Sequence, residues 1–233
     1  MNILPWAEPW LLMPTPHMSG SECGTDTSGL VDYQFNANGY RTRAWEDQAW
    51  QDSIVVLGCS HVLGVGVQVQ DSLPYQLEQR FQRNVINLGY GGSSMTVQVY
   101  NSLALRAKAI KPYAVILVAP QLTRQAYFTW KEPIHMVPTQ TEHLPVGIKD
   151  CYKGWIHHEP NAEVHGALQW ASIRHIWHDV PFYSFTTQDS DTRWISAVSL
   201  SRYIDKAHDG LHAGPQTLVN WANEIANNVD FPR

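Results

Sequence analysis

Ser53-Ile54-Val55-Val56-Leu57-Gly58-Cys59-Ser60 is the stretch on which the reading of this chain turns. An unbroken aliphatic run closed by a glycine reads as a strand buried on both faces, because a half-exposed strand would alternate apolar and polar residues. The pattern then repeats downstream. Asp71-Ser72-Leu73-Pro74 opens a helix, with Asp71 or Ser72 as N-cap and proline in the first turn. Leu73, Leu77 and Phe81 recur on one face of it. A second strand is expected over 85–88, again followed by glycine. A helix over 94–110 follows, with Met95, Val99, Leu103 and Ala107 as its stripe, and Lys111-Pro112 stops it. Residues 114–119 form a third aliphatic strand. Residues 127–160 are aromatic and turn-rich and read as an insertion or long loop. A helix over 161–179, a strand over 182–186 and a final helix over 215–228 complete the chain.

This alternation predicts a three-layer α/β/α sandwich with a mostly parallel sheet over residues 51–233. Residues 1–50, rich in Pro, Gly, Ser and Thr, read as an irregular lead-in packed on the core. A short hairpin is expected there, with arms 31–35 and 40–43 turned by 36–39.

Bulk properties narrow the function. Hydrophobic residues make up 44% of the 233 positions, enough for one large core. A net charge of −5 gives no basic face for nucleic acid. No apolar stretch approaches the ~20 residues of a membrane span. Cys23, Cys59 and Cys151 are odd in number and form no CxxC, which argues against a disulfide framework or a zinc knuckle. The N-terminal stretch lacks a basic leader and is broken by prolines, so a cytoplasmic protein is expected, with export by another route left open. Trp6, Trp10, Trp130 and Trp155 sit in loop-like contexts, where they either line a ligand site or, the favoured reading, pack irregular segments onto the core. His157, His158, His165, His175 and His178 read as partly exposed polar residues rather than as metal ligands; no metal or cofactor is expected.

In doubly wound sheets, ligands bind at loops leaving the carboxyl ends of strands. After the first strand comes Gly58-Cys59-Ser60-His61, which puts a serine hydroxyl and its own N–H at the sheet edge, as a nucleophile needs. After the second comes Asn87-Leu88-Gly89-Tyr90-Gly91-Gly92-Ser93-Ser94, whose glycines let backbone N–H groups approach a ligand closely. A dinucleotide-binding reading of these glycines fails, since the third glycine is replaced by Ser94 and no acidic residue ends the next strand. After the third strand comes Pro120-Gln121-Leu122-Thr123-Arg124, with Gln121 and Arg124 as candidate donors to a developing negative charge. Before the last helix stands Asp209-Gly210-Leu211-His212. A carboxylate three residues before a histidine can hold Nδ1, leaving Nε2 as a general base.

Taken in order, these pieces resemble the SGNH/GDSL hydrolases over residues 54–228. The lead-in Asn38-Gly39-Tyr40-Arg41 and the stretch from Leu63 to Leu77 also look like carbohydrate-esterase-like members. The resemblance implies a flavodoxin-like architecture and metal-free hydrolysis of esters, acetylated sugars, lipids or thioesters. It puts Ser60 at the nucleophile position, Asp209 and His212 at the dyad positions, and Gly92, or its neighbour Gly91, at the second oxyanion donor. His61, Gly91 and Arg124 are candidates for substrate contact. Two residues depart from the family pattern. Cys59 replaces the Asp of G-D-S. Gln121 stands where the family has Asn, a donor worth ~2.7–4 kcal/mol of transition-state stabilisation, so Gln121 or Arg124 must supply it. Cys59 itself is expected to turn away from Ser60 and not to act as nucleophile. The expected function is a serine esterase acting on a small-molecule or carbohydrate ester. The alternative is a weak or inactive scaffold that binds a glycan or a partner.

Overall fold

Every backbone group of a strand inside a three-layer protein must be paired by neighbouring strands, and here the pairing is parallel throughout the main sheet. The computed structural model describes residues 31–128, 133–138, 141–142, 144–157 and 159–231. In chain order the elements are β1 (Ile54–Gly58), α1 (Ser60–Leu63), α2 (Leu73–Phe81), β2 (Val85–Gly89), α3 (Met95–Ala107) and β3 (Ala114–Ala119). They continue with β4 (Gln125–Phe128), β5 (Pro133–Met136), α4 (Val146–His157), α5 (Glu159–Ile176), β6 (Phe182–Thr186), β7 (Val198–Ser199) and α6 (Pro215–Asn228). The sheet order is β2-β1-β3-β6-β7, with β1 between β2 and β3. The predicted sandwich is therefore the observed one.

The two faces of the sheet carry two cores. Ile54, Val56, Ile116 and Val118 pack against Leu73 and Leu77 of α2 and Leu218, Trp221 and Ile225 of α6. Val55, Leu57, Val115 and Leu117 pack against Met95 and Leu105 of α3 and Trp170, Ile173 and Trp177 on the α5 side. Alternate residues of one strand thus feed opposite layers, which is why β1 and β3 are apolar without interruption. α1 lies close over the end of β2. A Cβ at Gly89 would come within 2.3 Å of the Leu63 nitrogen, so only glycine admits that approach.

Four expectations are corrected. The arms expected at 31–35 and 40–43 form no ladder. The turn between them exists, closed by Asn36 N–H to Tyr40 O and by Asn36 Oδ1, which accepts the N–H groups of Asn38 and Tyr40, while the flanking carbonyls of Asp32 and Arg43 accept from the side chains of Arg41 and Asn36. The buried face of α3 is not the expected stripe. Ala107 is exposed, whereas Met95, Gln98, Asn101, Ser102 and Leu105 are buried. The polar members are buried because they find partners: Gln98 donates to Gly58 O at 3.0 Å, and Ser102 Oγ accepts from the Trp177 indole at 3.0 Å. The 127–160 segment is not merely a loop. It carries part of an antiparallel β4–β5 hairpin and all of α4, and the following helix runs Glu159–Ile176 rather than over 161–179. Trp155 accordingly sits on α4, exposed, with its ring edge-on to His165. β7, only two residues long, gives no sequence signal. Trp6, Trp10, Trp130 and Cys23 fall outside the described residues.

Candidate active site

β1 ends at Gly58, and Cys59, in extended conformation, precedes the first turn of α1. Cys59 O accepts the N–H groups of Val62 and Leu63, both at 3.0 Å, and Ser60 O accepts those of Gly64 and Val65. The Ser60 N–H is left without a partner among the described residues, as the first N–H of a helix must be unless something caps it. Ser60 itself is buried. Its hydroxyl lies 4.0 Å from Cys59 Sγ. Cys59 therefore does not turn away from Ser60 as expected: the sulfur is buried beside the hydroxyl in the same tight turn.

Asp209 and His212 are brought together by their own loop. Asp209 Oδ2 takes a very short hydrogen bond from His212 Nδ1, while Oδ1 accepts the N–H groups of Leu211 at 2.9 Å and His212 at 3.0 Å. Burial alone would raise the Asp209 carboxyl. The hydrogen bonds from His212 and Leu211 outweigh it and hold the group below its ordinary value. The loop is fixed at both ends. Ala207 N–H bonds His212 O at 2.9 Å, and Asp205 caps α6 by accepting from Gln216 N at 3.0 Å and Thr217 N at 2.8 Å. With Nδ1 committed to Asp209, the unengaged basic nitrogen is Nε2.

His61 links serine and dyad. It follows Ser60 directly, and its ring is edge-on to His212, with centroids 5.4 Å apart. Its other neighbours are Tyr203, whose hydroxyl meets His61 Nε2 at 2.9 Å, and Trp221. Burial first, then the charges of His212 and Arg124, push the His61 imidazolium down to about 3, so the ring is neutral near pH 7. Burial pushes the Tyr203 phenol up to about 12.

The flanking loops leave the strands on either side of β1. Tyr90 N–H, Ser93 Oγ and Gln98 Nε2 all donate to Gly58 O, tying the β2 loop to the serine turn. The Gly91–Gly92 pair lies in that loop under His135 of β5, whose ring is 4.8 Å from Tyr90. Gln121 leaves β3 half-buried, its side-chain amide bonding no described residue. Arg124 closes the same turn through its N–H to Gln121 O at 3.0 Å.

Sequence reasoning missed the supports. Arg41 donates to Gly64 O at 2.7 Å and Val67 O at 3.0 Å, and the Tyr33 hydroxyl accepts from Gly66 N at 2.6 Å. Gly66 O in turn accepts from His208 N at 3.0 Å. The lead-in therefore braces the loop that braces the Asp209 loop. Arg41 belongs to the Asn38-Gly39-Tyr40-Arg41 motif, but its buried main-chain partners follow only from the fold. Among the described residues, no group of three or more His, Cys, Asp or Glu is placed to hold a metal ion; His175 and His178 stack on each other. No described helix is long and apolar enough to cross a membrane.

No protein-family model and no curated protein matches the chain. Solved structures do. One is a member of the lipolytic protein G-D-S-L family from Veillonella parvula DSM 2008, at 9% identity over 76% of this chain and 99% of that chain, TM-score 0.45. Another is a carbohydrate esterase family 2 enzyme plus carbohydrate-binding domain from Corynascus thermopiles (Myceliophthora fergusii), at 11% identity over 78% and 66%, TM-score 0.47. A third is the acetyl xylan esterase Est2A from the rumen bacterium Butyrivibrio proteoclasticus, at 10% identity over 78% and 64%, TM-score 0.45. In fold, the chain resembles the SGNH/GDSL hydrolases. Identities this low speak to architecture alone.

Proposed function

We propose that this protein is a serine esterase of SGNH/GDSL type, with Ser60 as nucleophile and His212, oriented by Asp209, as general base. The observation that carries the reading is the buried Asp209 carboxylate bonded to His212 Nδ1, with the His212 ring held against His61, the residue after Ser60. His212 Nε2 takes the Ser60 proton as Oγ attacks the ester carbonyl. The Ser60 N–H and the Gly92 N–H stabilise the oxyanion, with Gln121 as third donor. His212 then protonates the leaving alcohol, and water repeats the cycle on the acyl-enzyme. Small acyl esters are the substrates, with acetylated carbohydrate favoured by the Asn38-Gly39-Tyr40-Arg41 resemblance. The test is fluorophosphonate labelling together with p-nitrophenyl acetate turnover, in wild type and Ser60→Ala. The reading requires label on Ser60 and turnover that is lost in the variant. Absence of both in folded wild type overturns it.

One observation favours a second reading, a scaffold that binds without turnover. Ser60 Oγ bonds the Cys59 sulfur and makes no hydrogen bond to His212. In free enzymes such catalytic bonds are often long and tighten only with substrate, so the esterase reading is preferred.

A further inference from the structure

Arg124 is the last residue of the turn leaving β3 and stands immediately before β4. The turn is rigid: Tyr152 donates its hydroxyl to Thr123 O at 3.1 Å, and Arg124 N–H bonds Gln121 O. The side chain is only half-buried, yet its Nε is wholly shielded and has no hydrogen-bond partner among the described residues. Arg43, Arg106, Lys111, Lys149 and Arg193 each meet a carboxylate, and Arg124 meets none among the described residues. β3 pairs with β1 in parallel, so the turn that carries Arg124 opens at the same end of the sheet as the Ser60 turn. A shielded N–H without a partner is costly, and the half-exposed guanidinium that carries it meets no counter-charge among the described residues. The cost is recovered when an anion arrives, and the planar fork of arginine suits a carboxylate in particular.

We propose that Arg124 is an anion subsite of the candidate esterase site, so that the preferred substrate is an ester that itself carries a carboxylate. This inference rests on the esterase reading. The exposed side chain of Leu211, which stands between Asp209 and His212 in the chain, and Tyr203, which meets His61, offer an apolar surface for the uncharged remainder of the substrate. The carboxylate can lie on the alcohol side, as in an acylated hydroxy acid, or on the acyl side, as in a hemi-ester of a dicarboxylic acid.

Two ester pairs separate these arms. 4-Acetoxybenzoate is compared with its methyl ester, and mono-4-nitrophenyl succinate with 4-nitrophenyl butyrate. Wild type is expected to favour the charged member of one pair by about tenfold or more in kcat/KM. In Arg124→Gln that preference collapses, and in Arg124→Lys it is partly kept and weakens with salt. An unchanged preference in Arg124→Gln overturns the proposal. So does a parallel loss on charged and neutral esters, which would make Arg124 an oxyanion donor. If wild type hydrolyses none of these esters and Ser60 takes no fluorophosphonate, the esterase reading has failed. The subsite is then read by calorimetric titration of benzoate against benzamide. Benzoate binding that weakens in Arg124→Gln supports the subsite, and benzoate binding that is absent, or equal in the two proteins, overturns it.

Discussion

Gly66 leaves room for Asp209. Its backbone has φ +75, and a Cβ there would lie 2.8 Å from Ala207 Cβ and 3.2 Å from the Asp209 carboxyl carbon. A residue six positions beyond the candidate nucleophile therefore sets the position of the candidate triad's carboxylate. Gly66→Ala combines a strained left-handed backbone with a steric push on that carboxylate. We expect it to lower stability by about 1–3 kcal/mol and to cost turnover out of proportion to the fraction unfolded. Thermal unfolding and p-nitrophenyl acetate kinetics on the same sample check this; wild-type turnover in a folded variant would contradict it.

Asp209→Asn keeps an oxygen for the Leu211 and His212 N–H groups but removes the charge that fixes the His212 tautomer. The loss expected is about 10³–10⁴-fold in kcat, with little change in KM or melting temperature. A drop confined to KM would place Asp209 in substrate binding instead.

His61→Ala opens space beside His212, Tyr203 and Trp221, and about a tenfold loss of kcat is expected from poorer orientation of His212. His61→Phe restores the ring edge but not the bond to Tyr203, and less is lost. Equal losses in both variants would assign the effect to the imidazole nitrogens. Because the His61 pKa is pushed down to about 3, neither variant should remove an ionisation from the pH–rate profile at pH 5 or above.

Gln121→Ala tests the third oxyanion donor. If the amide reaches the oxyanion as a resident Asn would, kcat falls about 10²–10³-fold with KM unchanged. No change would leave the Ser60 and Gly92 amides as the working donors.

Asp191 lies almost fully buried behind the β3 turn. Burial first, and the nearby Glu163 charge, raise its carboxyl from 3.8 to about 6, against hydrogen bonds from Leu122 and Thr186. The folded state therefore binds a proton more tightly than the unfolded chain. Its contribution is fully present below pH 3.8 and is lost as pH rises through about 6. Stability of wild type relative to Asp191→Asn should fall across that window by about 2 kcal/mol. Denaturant unfolding at pH 4 and pH 7 measures the difference; a gap that does not change with pH contradicts it.

The frame of the fold was legible in the residues alone. Unbroken aliphatic runs at β1 and β3 demanded burial on both faces, and punctuation by Gly58, Pro112 and Pro215 marked where the elements stop or start. The Asp209–His212 pairing was legible too, because a carboxylate three residues before a histidine in a short loop has little choice of partner. Long-range packing fixed which face of α3 is buried, since Gln98, Asn101 and Ser102 could go inside only once Gly58 O, Tyr40 and Trp177 were there to satisfy them. It likewise decided that Cys59 Sγ lies beside Ser60 Oγ, that His61 separates Tyr203 from His212, and that Arg41 and Tyr33 brace the loop beneath Asp209. These relations join residues far apart in the chain. Local patterns report burial and turn chemistry, whereas the pairing of one buried polar group with another is fixed only when strands and helices close into layers.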